Sequence, residues 1–251
     1  MNGEPVLRVS SWARRCSLVF FALVALAPRS LAGAGPGVVE VDFATPADPP
    51  LVKKFGVMNS GIVKMARHQR DLALLKPLRA DSLRIDLSIG KRDSGWSREI
   101  VAGRSDRLTY YWDEIDALGG MLQRHGVLPY WSFCYMPLPL QSGSCMAPPT
   151  NLGKWQEVLR EFSRHFREAG IPVGYYEVYN EPDFRNFFTG AMADYLAMYE
   201  RGVRGLREGD PDAVVGGPAL AFHRAWIRPF LDLAAEKRLP TDQRRTPSSS
   251  S

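Results

Sequence analysis

Val173-Gly174-Tyr175-Tyr176-Glu177-Val178-Tyr179-Asn180-Glu181-Pro182-Asp183 is the stretch from which the fold can be read. Its first half is rich in aromatic and β-branched residues, the composition of a buried strand. The run stops on an Asn-Glu-Pro turn. Pro182 has no N–H to give to a sheet ladder and biases Glu181 away from helix, so the strand must end there. The Glu181 carboxyl is thereby presented at the C-terminal tip of a strand, with the Asn180 amide beside it. In α/β barrels the reaction centre is built at that edge. Glu177, inside the strand, reads as a lumen residue in a polar network. By residue chemistry, Glu181 is a candidate proton donor to a glycosidic oxygen and Asn180 a candidate grip on a sugar hydroxyl. A polar turn after a core strand is the other reading.

Working outward, the helix before this strand carries Trp155, Val158, Leu159, Phe162 and Phe166 at helical spacing and ends at Gly170. The helix after it carries Tyr195, Leu196, Tyr199, Val203 and Leu206, and Asp210-Pro211 turns the chain into a strand at Ala213-Val214-Val215-Gly216-Gly217-Pro218. Upstream, Val127 to Phe133 is a strand running into an aromatic, Pro-rich loop that contains Tyr135. Such a ring can stack on a sugar face or pack under the loop. A helix is expected from near Thr109, with Trp112, Ile115, Leu118 and Leu122 on one face and His125-Gly126 closing it. Residues 90–108 read as a polar loop. Ser82 to Leu87 is a strand holding Arg84 and Asp86, which line a polar cavity or form a structural ion pair, since buried charges need one or the other. Phe55 to Asn59 is a first strand, and Leu72, Leu75 and Leu78 mark a helix after it. Trp226, Phe230 and Leu233 begin a last helix. Residues 236–251, charged and ending in four serines, read as a disordered tail.

The formal charge of +5 lies at the two ends. Residues 1–34 carry four arginines against Glu4, and residues 236–251 four cations against Glu236 and Asp242, so 35–235 is neutral overall. That distribution offers no basic face to nucleic acid. Arg8, Arg14 and Arg15 precede the apolar run Leu18 to Ala27, which suits a secretory signal peptide over residues 1–34 and is too short to span a bilayer. Export and no stable membrane anchor are therefore expected. Cys134 and Cys145 stand eleven apart. A disulfide bracing the loop and two separate thiols are both open readings. No Cys or His spacing resembles a metal site, and no phosphate-binding glycine loop is present, so neither metal nor cofactor is expected.

The strand starts fall near residues 55, 83, 127, 174 and 213, with helices between them. Alternation of this kind argues for a parallel sheet covered by helices. An open doubly wound sheet is the alternative, lowered by the missing glycine-rich turn. At about 40 residues per unit, eight units need roughly 320, so the chain is expected to hold about five units of a (β/α)8 TIM barrel, over residues 35–235.

Three motifs in order carry a family likeness: Leu128-Pro129-Tyr130 through Met136-Pro137, Tyr176 through Pro182, and Val215-Gly216-Gly217-Pro218-Ala219. Over roughly residues 52–235 the chain resembles glycoside hydrolase family 39, the β-xylosidase and α-L-iduronidase group of retaining barrel glycosidases. The resemblance implies a carbohydrate substrate. It makes Glu181 the general acid/base, Asn180 the residue that binds the sugar 2-hydroxyl, and Arg84 an arginine that orders the site. Asp86 and Tyr135 are further candidate substrate contacts. The family's nucleophile is a second glutamate on strand seven, which this sequence is expected to lack; Asp86, Glu177 and Asp183 are the local carboxylates, with Asp86 the best placed to substitute. Tyr179 stands where the family usually has tryptophan. The alternatives are a non-catalytic carbohydrate-binding remnant and a related β-glucan-cleaving barrel that shares only the Asn-Glu-Pro turn.

Overall fold

The computed structural model describes residues 56–59, 77, 80–90 and 95–240, all within the compact unit Val52–Ser251. Residues 1–34, where a leader is expected, the residues of the helix expected around Leu72 to Leu78 (Pro77 apart) and residues 241–251 lie outside the described residues.

Five strands form one parallel sheet, in the order β1 (Gly56–Asn59), β2 (Ser82–Ser88), β5 (Leu128–Cys134), β6 (Tyr175–Glu177) and β7 (Val215–Gly216). Strand order follows chain order, as in a barrel wall, and not the reversal of a doubly wound sheet. Between the strands lie α1 (Asp113–Arg124), α2 (Leu152–Glu168) and α3 (Met192–Gly209); α4 (Ile227–Lys237) follows β7. This is part of a (β/α)8 barrel.

The two-residue period of a strand divides the sheet into two faces. Ile85, Trp131, Tyr176 and Val215 pair in one row and are all buried under the helices. Trp131 stacks on Phe166 at 5.7 Å and Phe133 meets Phe162 edge-on at 5.3 Å, so the α2 stripe is core. The alternate residues face the lumen. Arg84 pairs with Tyr130, and Asp86 with Ser132 and then Glu177. A polar row inside an apolar sheet is tolerated only where its members satisfy one another.

Helices α1 and α2 stop at the glycines the sequence marks, Gly126 and Gly170. Asn151 caps α2 by accepting the Lys154 N–H at 3.0 Å. Gly170 follows it with a φ of +67°, a left-handed conformation that disfavours other residues. On α3, Gly205 lets the backbone of α2 come close: a Cβ there would lie 2.2 Å from the Gln156 carbonyl oxygen. Gly205→Ala should therefore destabilise the protein by about 2 kcal/mol, although alanine is the better helix former by roughly 1 kcal/mol. Urea denaturation checks this, and a gain in stability would contradict the close approach.

Three local expectations are corrected. Residues 90–108 are not only loop: β3 (Val101–Arg104) and β4 (Arg107–Tyr110) form an antiparallel hairpin. That hairpin moves the start of α1 from near Thr109 to Asp113. It is held by packing, with Val101 buried, Tyr110 stacked on Trp112 at 5.2 Å, and Trp112 stacked on His165 of α2 at 4.1 Å. The disordered tail expected from Glu236 does not include residues 236–240. Helix α4 runs through Lys237, Leu239 packs against the core, and the Pro240 carbonyl accepts the Tyr199 hydroxyl at 2.5 Å. Apolar cover for Tyr199 outweighs the charged composition there.

Candidate active site

Strict alternation from Glu177 would turn Asn180 toward the helices. It does not, because Tyr179 takes a φ of +76° and shifts the phase of the chain. Glu181 follows at +43° and Tyr135, at the tip of β5, has +55°. Among the described residues, three of the four non-glycine residues with positive φ thus stand at the C-terminal edge of the sheet. Each costs on the order of 1–3 kcal/mol and persists only where its surroundings fix it. For Tyr179 those surroundings are complete burial and a hydroxyl that donates to the Phe187 carbonyl at 2.9 Å. The Asn180 N–H donates to the Phe133 carbonyl at 3.1 Å, and Asn180 bridges to Ala219.

Arg84 is the hub beneath this edge. It donates to Asp86 Oδ1 at 2.7 Å, Ser132 Oγ at 2.9 Å and Asn180 Oδ1 at 2.8 Å, and it forms an ion pair with Glu177. Glu177 also accepts from Ser132 and, at 2.9 Å, from the Tyr130 hydroxyl. Of the two sequence readings, the ion pair of Arg84 with Asp86 is formed, on the sheet face turned away from the helices. Burial would weaken the Arg84 charge, but Glu177 and Asp86 more than restore it, so it stays cationic. Burial and Glu177 push the Tyr130 phenol well up, which keeps it a donor. With Oδ1 of Asn180 taken by Arg84, its Nδ2 is left as a donor for a bound hydroxyl.

The Glu181 carboxyl is held above the usual carboxylate range. Burial is the largest cause; the negative charge of Asp86 adds to it, Arg84 opposes it, and Asp183 and Glu177 add further. Asp183 goes the other way. Burial would raise it, but the N–H groups of His223, Ala221 and Phe222 hold it down. Those bonds are 2.6, 2.8 and 2.7 Å long and fasten the loop after β7 to the Asn-Glu-Pro turn. The two neighbouring carboxyls are thus shifted in opposite directions by their surroundings.

Tyr135 is 8% exposed, with its ring stacked on Phe187 at 5.9 Å, so it is packed under the rim more than presented. Cys134 and Cys145 form no disulfide; the loop is tied instead by the Met136 N–H to the Cys145 carbonyl at 2.7 Å. Tyr130, Ser132 and the Asp183 clamp were missed from sequence. Strand register would have found the first two. Among the described residues no group of side chains could hold a metal ion, and no helix is long and apolar enough to cross a membrane.

Fold and strand order together define a class, the (β/α)8 barrels. The chain belongs to the glycosyl hydrolases family 39, whose sequence model matches residues 52–245. It is 30% identical over 164 residues to a β-xylosidase of Geobacillus stearothermophilus, covering 60% of this chain and 32% of that one. A β-xylosidase of Caldicellulosiruptor saccharolyticus is 28% identical over 168 residues, covering 60% of this chain and 34% of that one. The chain thus spans about a third of the length of these curated relatives. In fold it is similar to a family 39 enzyme of Xanthomonas axonopodis pv. citri, with a TM-score of 0.65 at 21% identity over 78% of this chain and 40% of that one.

Proposed function

We propose that this chain contributes the acid/base half of a retaining glycosidase active on β-xylosides. Glu181 protonates the leaving oxygen and later deprotonates the attacking water. Asn180 Nδ2 donates to a sugar hydroxyl, and Arg84 fixes the Asn180 amide from below. The observation that carries this reading is the pairing, at one sheet edge, of Asn180 and a Glu181 carboxyl whose proton affinity its setting raises, above a hub that already occupies Asn180 Oδ1. A retaining mechanism also needs a second carboxyl about 5–5.5 Å from the first. Asp86 is held by Arg84, Glu177 by three donors and Asp183 by three N–H groups. The nucleophile is left to the second glutamate that the family carries on strand seven, with Asp86 the local alternative. Export belongs to the same proposal, supported by the basic leader and apolar run before residue 34.

Commitment of all three local carboxylates also supports the second reading, a protein that binds glycosides without cleaving them. Both readings require a sugar site. Saturation-transfer NMR with methyl β-D-xyloside tests for it: transfer to the xylose ring protons is expected in the wild type and should be lost in Asn180→Ala. No transfer to the wild-type protein would refute both.

A further inference from the structure

Four aromatic rings run along the rim from β5 to the loop after β7. Tyr135 stacks on Phe187 at 5.9 Å, Phe187 meets Phe184 at 5.9 Å, and Phe184 meets Phe222 edge-on at 5.2 Å. Exposure grows along the series. Tyr135 is buried, Phe184 and Phe187 are half-buried, and Phe222 is 67% exposed. An exposed phenylalanine on a loop is ordinarily free to turn away, but this one is fastened. Its own N–H and those of both neighbours, Ala221 and His223, end on the Asp183 carboxylate. The backbone that carries the ring is held at the rim and the ring rests edge-on against Phe184, so a ligand has only a side-chain rotation left to order.

We propose that Phe184, Phe187 and Phe222 form the seat for a flat, apolar leaving group, and that Asp183 is the positioning residue that sets it. This rests on the glycosidase reading above. The acid must stand between the sugar and the group that departs. The wall begins three residues after Glu181, on the same turn, where the Phe184 N–H returns to the Glu181 carbonyl at 3.0 Å. The polar side of the site, Arg84, Asp86 and Asn180, matches sugar hydroxyls. The three phenylalanine rings can stack on either an aryl or a sugar face, but they carry no hydrogen-bonding group for a second sugar's hydroxyls, which tips the seat toward an aryl group.

The test is the affinity ratio of phenyl β-D-xyloside to methyl β-D-xyloside, measured with the full chain by calorimetry, together with saturation-transfer maps of both ligands. The wild type should favour the phenyl compound, with transfer to the phenyl protons. Phe222→Ala should reduce that preference by about 3- to 10-fold, the range that an aromatic contact supplies. Asp183→Asn keeps the ring and loosens the clamp. It should lose transfer to the phenyl protons while transfer to the xylose protons persists, a split that a purely structural role would not produce. Equal affinity for the two ligands in the wild type, or an intact preference in Phe222→Ala, overturns this inference alone. Failure of both ligands to bind overturns the glycoside reading and takes this inference with it.

Discussion

Arg84→Ala is expected to destabilise the protein by about 3–5 kcal/mol, more than any other single substitution at the site. The reason is what it leaves behind. Asp86 and Glu177 are 7% and 5% exposed, and Arg84 is the cation bound to both. Removing it strands two carboxylates of like charge on β2 and β6, the strands either side of β5, and it also frees Asn180 Oδ1. Lysine should rescue little, because a single ammonium cannot reach acceptors arranged for a planar fork. The cost should shrink when Glu177→Gln is added, since the stranded charge then falls by one. Urea denaturation of the two single variants and the double variant measures the coupling. A loss below about 1 kcal/mol in Arg84→Ala would mean that water already serves these carboxylates, as at an exposed pair.

Glu181→Ala should split substrates by leaving group. In catalytically competent protein, kcat/KM for alkyl xylosides should fall by about 10²–10⁴-fold, the usual contribution of a positioned general acid. Nitrophenyl xylosides should lose far less in glycosyl transfer, because a nitrophenolate departs without a proton. Rates across a series of phenols of rising pKa provide the measurement, and the variant should depend on that pKa much more steeply than the wild type. Equal losses across the series would remove Glu181 from the acid role. The positive φ at Glu181 makes Glu181→Gly a useful companion. It relieves the backbone strain while deleting the carboxyl, and should leave the steeper dependence in place.

The sheet was legible because its strands are short apolar runs bounded by glycine and proline, and the helices because their apolar stripes hold one period. Strands read as starting near 55, 83, 127, 174 and 213 begin at 56, 82, 128, 175 and 215. The β3–β4 hairpin escaped because its strands are four residues each and include Arg104, Arg107 and Thr109, so no alternation stands out. At the site, Arg84, Asp86 and Glu177 announced themselves as charges within apolar strands. Their partners Tyr130 and Ser132 did not. A tyrosine or serine in a strand is ordinary, and only the register Arg84 to Tyr130 and Ser132 to Glu177 brings them together. The Asp183 clamp spans 38 to 40 residues of sequence and ends on backbone N–H groups, which leave no mark in side-chain pattern. Tyr135 is the converse case. Its residue type suggested a presented ring, but the neighbouring Phe187 covers it.

The central claim is that the Glu181 carboxyl is a proton donor whose hold on its proton is strengthened by its setting, and its own titration tests that most directly. Carbon-13 NMR of the labelled side chain should give a midpoint above the ordinary glutamate value of about 4.3. Asp86→Asn removes a negative neighbour, favours the ionised form and should bring the midpoint down. A midpoint at or below the ordinary value in the wild type, insensitive to Asp86→Asn, would contradict the account.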